Sequence, residues 1–240
     1  VGSEMCIRDR PVRRIYASEQ KLSALQRNLP ASVKKWKRAQ MVYPDGTLDN
    51  IQLRHRGDNP FNWLFKKKSW RFKTRKERLL GTVRSVNVIS PQDSVFVDTH
   101  FYLRVARNCG LLSPESRMIE LILNDRTQGV HTEIAHMDEN FLRKNRIMPV
   151  NLYKGEQRMS ERRYGMEFDL YSTPALWSKV SVNNYTLDPA GEEPEADVSD
   201  LEFVLRTSQE ALADAEAFDR LREIVDWDYW AKFAAYEILT

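Results

Sequence analysis

The spacing of apolar and polar residues predicts mainly strands in the first half of the chain and helices at its end. Alternation of apolar and polar residues is typical of half-buried strands, and a spacing of three and four is typical of helices. The predicted strands cover residues 33–43, 48–55, 69–74, 83–89, 118–123 and 129–135. Pro44-Asp45-Gly46 is a turn sequence between the first two of these strands. This order predicts an α+β fold with a mixed sheet.

Helical patterns interrupt the predicted sheet and then dominate the end of the chain. The predicted helices cover residues 18–28, 95–108, 138–144 and much of 201–240. In the second of them Val97, Phe101 and Val105 are spaced four apart, and Gly110 follows as a C-cap. We therefore expect one long helix to be inserted between the strands.

The remaining segments suggest a boundary between two lobes. Residues 158–185 are irregular and rich in aromatics, and residues 188–195 have the composition of an exposed linker. We expect a first lobe over residues 11–150, with a mixed or antiparallel sheet and one long helix. Residues 151–240 would then be the incomplete start of a mainly helical second lobe.

Composition and charge narrow the class of protein. A hydrophobic content of 42% and a charged content of 30% are ordinary for a globular protein. We expect no membrane span, because no stretch reaches the roughly 18 consecutive apolar residues that a span needs. The net charge of +3 conceals a basic first third and an acidic stretch over residues 188–200.

The first ten residues, Val1 to Arg10, have neither an amphipathic period nor an apolar segment. They resemble one reading frame of the transposon-end adapter used in shotgun sequencing libraries, so we exclude them from fold reasoning. This interpretation removes Cys6 and leaves Cys109 alone, so the sequence supports no disulfide or paired-thiol site. It also predicts a chain that is truncated at its start.

One segment has residues suited to binding phosphate. Arg56-Gly57 follows a predicted strand, and Lys66, Lys67 and Lys68 lead into the next one. A glycine lets backbone approach an anion, and a lysine on the return strand can direct its ammonium at phosphate oxygens. If the lysines belong to the strand, Lys66 and Lys68 share a face, because strand side chains alternate. A solvated surface run of lysines is the alternative interpretation.

Several short motifs follow one another in a fixed order between about residue 41 and residue 240. They are Arg56-Gly57 with Lys67-Lys68-Ser69-Trp70-Arg71-Phe72, Ala106-Arg107-Asn108-Cys109-Gly110-Leu111-Leu112-Ser113-Pro114, Leu121-Ile122-Leu123-Asn124-Asp125 with Gln128-Gly129-Val130-His131, Asp138-Glu139-Asn140-Phe141-Leu142, Leu152-Tyr153-Lys154, and Val225-Asp226-Trp227-Asp228-Tyr229-Trp230. No single motif is specific, but in their order and spacing they together resemble the CotH kinase family of spore coat protein H.

The resemblance implies a divergent protein-kinase-like fold of two lobes that uses ATP and magnesium to phosphorylate serines of a protein substrate. It implies a nucleotide site with Lys68 as the phosphate-binding lysine, Lys66 as its neighbour and Arg56 positioning the loop. Tyr153 would stack on adenine, or else be a packed core tyrosine. The catalytic and metal-binding aspartates are expected beyond Thr240, so the fragment itself is expected to be inactive.

Four positions, at three places in the chain, depart from the family pattern. Ala135 stands where the family usually has a glutamate, and Glu133, two residues earlier on the same face, is the candidate replacement. Asp98-Thr99 replaces an Arg-Asn pair, and His131 stands where tyrosine is common. These changes leave the geometry of the nucleotide site open.

Two other functions remain open. A catalytically inactive surface or coat protein could use the same fold to bind a partner. A nucleic-acid-binding module would account for the basic, aromatic-rich residues 54–78, although the acidic second half argues against it. The histidines show no metal-ligand spacing, and an extracytoplasmic, cell-surface or spore-coat location is suggested only by the family.

Overall fold

The structure is a computed structural model that describes residues 11–57, 60–91, 98–148, 150–155, 174, 177–180 and 197–239. Residues 1–10, including Cys6, lie outside the described residues. The chain divides into two compact units, of which the first extends to Lys144 and the second begins at Asn145. The two units are described separately.

Seven strands of the first unit form a closed barrel. They are β1 (Val12–Tyr16), β2 (Lys37–Val42), β3 (Leu48–His55), β4 (Trp70–Lys73), β5 (Ser85–Ile89), β6 (Ser116–Leu123) and β7 (Arg126–Ala135). Their order around the barrel is β1-β2-β3-β4-β5-β7-β6. β1 pairs with β2 antiparallel and with β6 parallel, which closes the sheet on itself. Closure leaves no exposed sheet edge.

The barrel core comes from every second residue of its strands, because alternate side chains of a barrel strand face inward. These inward positions are almost fully buried and apolar: Ile15, Met41, Leu53, Phe72, Val88, Ile119 and Leu121. Burying each such side chain contributes roughly 1.5–3 kcal/mol, so the core supplies most of the driving force for folding.

Three helices accompany the barrel: α1 (Glu19–Arg27), α2 (Asp98–Asn108) and α3 (Glu139–Lys144). Leu25 of α1 is fully buried and joins the barrel core. Phe141 and Leu142 of α3 are also buried. The predicted C-cap of α2 is confirmed, because Gly110 has φ +78°, a conformation in which glycine carries no Cβ penalty.

The α+β class and most predicted strands are confirmed, but closure of the sheet into a barrel was not predicted. The sequence analysis placed no strand at Val12–Tyr16, because Arg13 and Arg14 interrupt its apolar pattern. Arg13 nevertheless points inward and is only 4% exposed. A strand whose inward position carries a charge cannot be found by a search for alternating apolar residues.

Arg13 is buried because it has a partner inside the barrel. Its Nε donates to Glu133 Oε2 at 2.7 Å and its second guanidinium nitrogen donates to Oε1 at 3.0 Å. Arg117 of β6 also donates through Nε to Glu133 Oε1, at 2.6 Å. One carboxylate thus accepts from two arginines on the two strands that meet at the barrel closure.

The β6–β7 hairpin holds the other end of β1. Its two-residue turn, Asn124-Asp125, has φ of +50° and +59°, as the primed hairpin turns require. The Asn124 amide accepts from Ala17 N–H at 2.9 Å and donates to Ala17 O at 2.7 Å. The chain leaving β1 is therefore hydrogen-bonded to the hairpin through both backbone groups of one residue.

The second unit contains the two-stranded sheet β8 (Leu152–Gly155) and β9 (Trp177–Val180), followed by helices α4 (Ser199–Glu210), α5 (Ala215–Ile224) and α6 (Trp227–Leu239). Asp226 Oδ1 accepts from Tyr229 N–H at 2.9 Å, so Asp226 caps the start of α6. β9 lies in the stretch interpreted as irregular, and the predicted linker 188–195 falls outside the described residues. No helix among the described residues has the length and apolarity to cross a membrane.

Because Arg13 pairs with Glu133 at the barrel closure, we expect a single substitution of Arg13 to lower the stability of the fold strongly. Without Arg13, Glu133 keeps only the half-exposed Arg117 and loses both donors on the buried side of its carboxylate, so Arg13→Met is expected to lower the free energy of unfolding by about 2–3 kcal/mol. Urea denaturation measures this change. Arg14→Met, on the exposed face of the same strand, is the matched control and should change stability by less than about 0.5 kcal/mol. Equal urea midpoints for Arg13→Met and Arg14→Met would contradict the stabilising role of Arg13 at the barrel closure.

Candidate phosphate-binding site

The segment between β3 and β4, residues 56–69, is called the basic loop below. Gly57 has φ +73°, and a Cβ there would lie 3.0 Å from the Asn62 amide nitrogen, so glycine suits this position. Arg56 N–H donates to Ser69 O at 3.0 Å and Ser69 N–H donates to Asn62 O at 2.7 Å. These bonds close the base of the loop, of which residues 58–59 lie outside the described part.

Lys68 directs its ammonium into the basic loop. Nζ donates to Trp63 O at 2.8 Å and to Phe65 O at 3.2 Å, and burial lowers the pKa of Lys68. An ammonium has three N–H donors, so two carbonyls leave one donor for a ligand. The carbonyls fix the direction of the cation without neutralising it.

Lys67 turns instead to the neighbouring strand β7. Its Nζ donates to Val130 O at 2.5 Å, and burial lowers its pKa. Lys66 is exposed. The prediction that Lys66 and Lys68 share a strand face is wrong, because residues 64–67 are bends and β4 begins only at Trp70. Lys67 is therefore the half-buried companion of Lys68, which the alternation argument missed.

Arg56 and Trp63 carry donors that have no acceptor. Arg56 Nε and Trp63 Nε1 are buried and find no hydrogen-bond partner among the described residues. Burial is also what lowers the pKa of Arg56. A buried donor without a partner costs about 1–3 kcal/mol, so each of these N–H groups favours the arrival of an acceptor.

Two histidines lie beside the basic loop inside the barrel. His55 is fully buried and stacks on Trp70 with ring centroids 4.6 Å apart, and burial, with a smaller effect of the Lys68 charge, lowers its pKa to about 4. Burial also lowers the pKa of His131. Both rings are therefore neutral near pH 7, and the positive charge of the site belongs to the arginine and lysines.

Glu133, a predicted nucleotide residue, lies further along β7, where it accepts from Arg13 and Arg117. No contact between its carboxylate and a lysine is present among the described residues. Its role at a nucleotide stays a prediction, as does that of Lys66. The structure brings Arg56, Lys68 and Trp63 together in the basic loop.

Tyr153 belongs to the second unit, in β8. Its hydroxyl donates to Asp200 at the start of α4, and Lys179 Nζ lies 5.7 Å from the ring centroid. Burial and the hydrogen bond to Asp200 raise the pKa of Tyr153 to about 12. Asn151 also donates to Asp200, at 2.7 Å. Because Asp200 is fixed by this second bond, its hydrogen bond to the Tyr153 hydroxyl helps to hold the tyrosine ring in place.

The model of the family described as CotH kinase protein matches residues 53–240. The chain belongs to the CotH kinase family. No curated protein matches it. The CotH match begins within β3 and includes the basic loop, β7 and the second unit, whereas β1 and β2 lie before it. The kinase family implies ATP and a divalent metal in general.

The described residues suit the phosphates of ATP better than they suit a divalent metal ion. Buried, unpaired N–H donors beside a lysine fit an anionic phosphate chain. No cluster of three or more His, Cys, Asp or Glu side chains among the described residues is placed to hold a metal ion. We therefore assign no magnesium ligand to the described residues.

The neutral His55 predicts a loss of stability in acid. The folded state disfavours the protonated ring, so the unfolded chain binds more protons as the pH falls below 6.5, and stability decreases until about pH 4. The difference of about 2.5 pKa units corresponds to a loss of about 3 kcal/mol. Urea denaturation at pH 7 and near pH 4 measures it. His55→Phe keeps the stack on Trp70 and removes the titration, so it should reduce this acid sensitivity; an unchanged pH dependence would contradict the assignment.

Proposed function

We propose that the basic loop binds the phosphates of ATP and that the complete protein transfers the γ-phosphoryl group to serine hydroxyls of a protein substrate. The observation that carries this proposal is that the loop which holds the Lys68 ammonium also contains two buried donors without a hydrogen-bond partner among the described residues, Arg56 Nε and Trp63 Nε1. Membership of the CotH kinase family supplies the reaction class.

The roles of the residues follow from their contacts. Lys68 has one N–H left after its bonds to Trp63 O and Phe65 O, and that N–H donates to a phosphate oxygen. Arg56 provides a charged donor from the base of the loop, and Trp63 a neutral one. Because Arg56 Nε and Trp63 Nε1 are buried and Lys68 is partly buried, their attraction to a polyanion is stronger than that of fully exposed donors. The exposed Lys66 remains a predicted outer contact.

In this proposal each of the two units corresponds to one lobe of a divergent, kinase-like fold. The barrel unit carries the nucleotide phosphates and the second unit begins the helical lobe. Tyr153 is the proposed adenine-stacking residue, and its tether to Asp200 holds the ring in one orientation. Since Lys179 lies over one ring face, stacking uses the opposite face. The magnesium ion of the family would be bound by carboxylates outside the basic loop.

The substrate and location are proposed from the family alone. A serine-rich protein in an extracytoplasmic, cell-surface or spore-coat setting fits a CotH kinase. The described basic residues argue against a nucleic-acid partner, because several are engaged within the barrel unit. Arg71 donates to Asn87, Arg78 pairs with Asp45, and Arg54 lies over the Trp36 ring.

A catalytically inactive binding protein on the same fold is the second candidate. It is favoured by the replacement of the usual glutamate by Ala135 and by the fact that Glu133, the candidate substitute, is held by two arginines. An inactive protein that still binds ATP would agree with the phosphate site and would contradict only the transfer reaction.

Lys68→Ala tests the phosphate site. Loss of a partly desolvated, charge-assisted donor is expected to weaken ATP binding by about tenfold or more, because such hydrogen bonds contribute roughly 1.5–3 kcal/mol. Isothermal titration calorimetry on the full 240-residue chain measures the Kd. Lys35→Ala, at an exposed lysine outside the loop, is the control and should bind like the unchanged protein. An unaffected Kd in Lys68→Ala would remove Lys68 from the site.

Two substitutions of Tyr153 separate stacking from tethering. Tyr153→Phe keeps the ring and removes the hydroxyl, whereas Tyr153→Leu removes both. If the ring stacks on adenine, the Phe variant should retain most of the affinity and the Leu variant should lose about tenfold, since stacking on a base contributes roughly 1–3 kcal/mol. Equal affinities for all three proteins would show that Tyr153 does not contact the nucleotide.

A further inference from the structure

We infer that Lys67 and His131 are positioning residues that fasten the basic loop to β7 and so aim Lys68. This inference rests on the proposed phosphate-binding role of the loop. It assigns a role to two residues that touch the loop or the strand but do not themselves contact the ligand. The sequence analysis noted His131 only as a departure from the family pattern and gave it no role.

The first attachment is the side chain of Lys67. Its Nζ donates to Val130 O at 2.5 Å, across 63 residues of sequence. The strand is irregular at this point, because Leu121 pairs with Gly129 whereas Ile122 pairs with Thr127, which leaves Gln128 as an extra residue. A bulge of this kind re-aims backbone groups out of the regular ladder. Glycine suits position 129 because its φ is +76°, and even a Cβ there would only be in ordinary contact with Lys67 Nζ, at 3.8 Å.

The second attachment is the ring of His131, which lies between two carbonyl oxygens. Nδ1 is 3.1 Å from Gly129 O and Nε2 is 3.2 Å from Lys68 O. A neutral imidazole has one N–H and so donates to only one of these carbonyls; we assign that N–H to Nε2, the nitrogen that faces Lys68 O. The ring is fully buried, so water does not compete for this bond.

The two attachments act on adjacent residues of the loop from adjacent residues of the strand. Val130 holds the side chain of Lys67, and His131 holds the backbone of Lys68. Lys68 is therefore fixed at its own carbonyl by β7 and at its ammonium by Trp63 O and Phe65 O. A small displacement of a group that contacts the ligand weakens its interaction strongly, so the position of Lys68 depends on both bonds.

This arrangement belongs to this chain rather than to the family pattern as a whole. His131 stands where the family commonly has tyrosine, and a phenol has no ring nitrogens with which to face Gly129 O and Lys68 O together. The ring fits a pocket that its own strand shapes, two residues after the glycine beside Lys67.

Paired substitutions test the inference. Lys67→Met and His131→Phe remove the side-chain N–H donor, whereas Lys67→Arg and His131→Gln each keep a side-chain N–H donor. Hydrogen exchange of the Trp63, Leu64 and Ser69 amides, measured without nucleotide, reports attachment of the loop, since all three amides are hydrogen-bonded within it. We expect the Met and Phe variants to exchange these amides about three- to tenfold faster, as loss of one hydrogen bond implies, and to raise the Kd for ATP by a similar factor.

The controls separate positioning from folding. The Arg and Gln variants should restore slow exchange and tight binding, and amides of β3 and β4 such as Leu53 and Phe72 should remain protected in all variants. Lys35→Met, at an exposed lysine elsewhere, should change neither readout. A variant that loses protection in β3 and β4 has lost its fold, and the comparison then depends on its conservative counterpart.

The possible outcomes are distinct. Unchanged exchange of the loop amides in both Lys67→Met and His131→Phe overturns the attachment. Faster exchange with an unchanged Kd overturns the positioning role. If the unchanged protein does not bind ATP, the proposed function fails, while faster exchange in the two variants still supports the attachment of the loop to β7.

Discussion

The burial of one carboxylate between two arginines is the constraint on which the barrel depends. Glu133 accepts from Arg13 of β1 and from Arg117 of β6, the two strands that meet at the closure. Charges this well buried are tolerated only when they are paired, so β1 has to occupy its place for Glu133 to remain in the interior. β7 is therefore held at Glu133 by the closure and at Val130 and His131 by the basic loop.

This arrangement also explains why the basic loop keeps its charge. Glu133 and His131 lie on the same face of β7, two residues apart, yet the carboxylate is satisfied by arginines and the imidazole is neutral. Neither group neutralises Lys67 or Lys68. If Arg13 were absent, Arg117 alone would pair with the carboxylate, and because Arg117 is 49% exposed, the buried side of the carboxylate would lose its donors. Glu133 therefore finds its counter-charges in Arg13 and Arg117 rather than in the basic loop.

The sequence predicted the parts of the fold that depend on local pattern and missed those that depend on distant partners. β3 was predicted with its observed bounds, because Ile51 and Leu53 alternate with polar residues, and Gly110 was predicted as a helix cap. β1 was missed because its inward arginine is explained only by a carboxylate 120 residues away. Arg56 and Lys68 were predicted together from a glycine-bearing loop, but the inward turn of Lys67 depends on a carbonyl of β7 that no local pattern reveals.

The matched family region and the physical unit that shapes the site do not coincide. The family model matches residues 53–240, so Arg13, β1 and β2 lie before it. Yet Arg13 donates twice to Glu133, which lies on the same strand that holds Lys67 and Lys68. The matched region therefore depends for part of its geometry on a strand that lies before it. A site on a barrel wall depends on every strand that closes that wall, because the register of each strand is set by the strands with which it pairs.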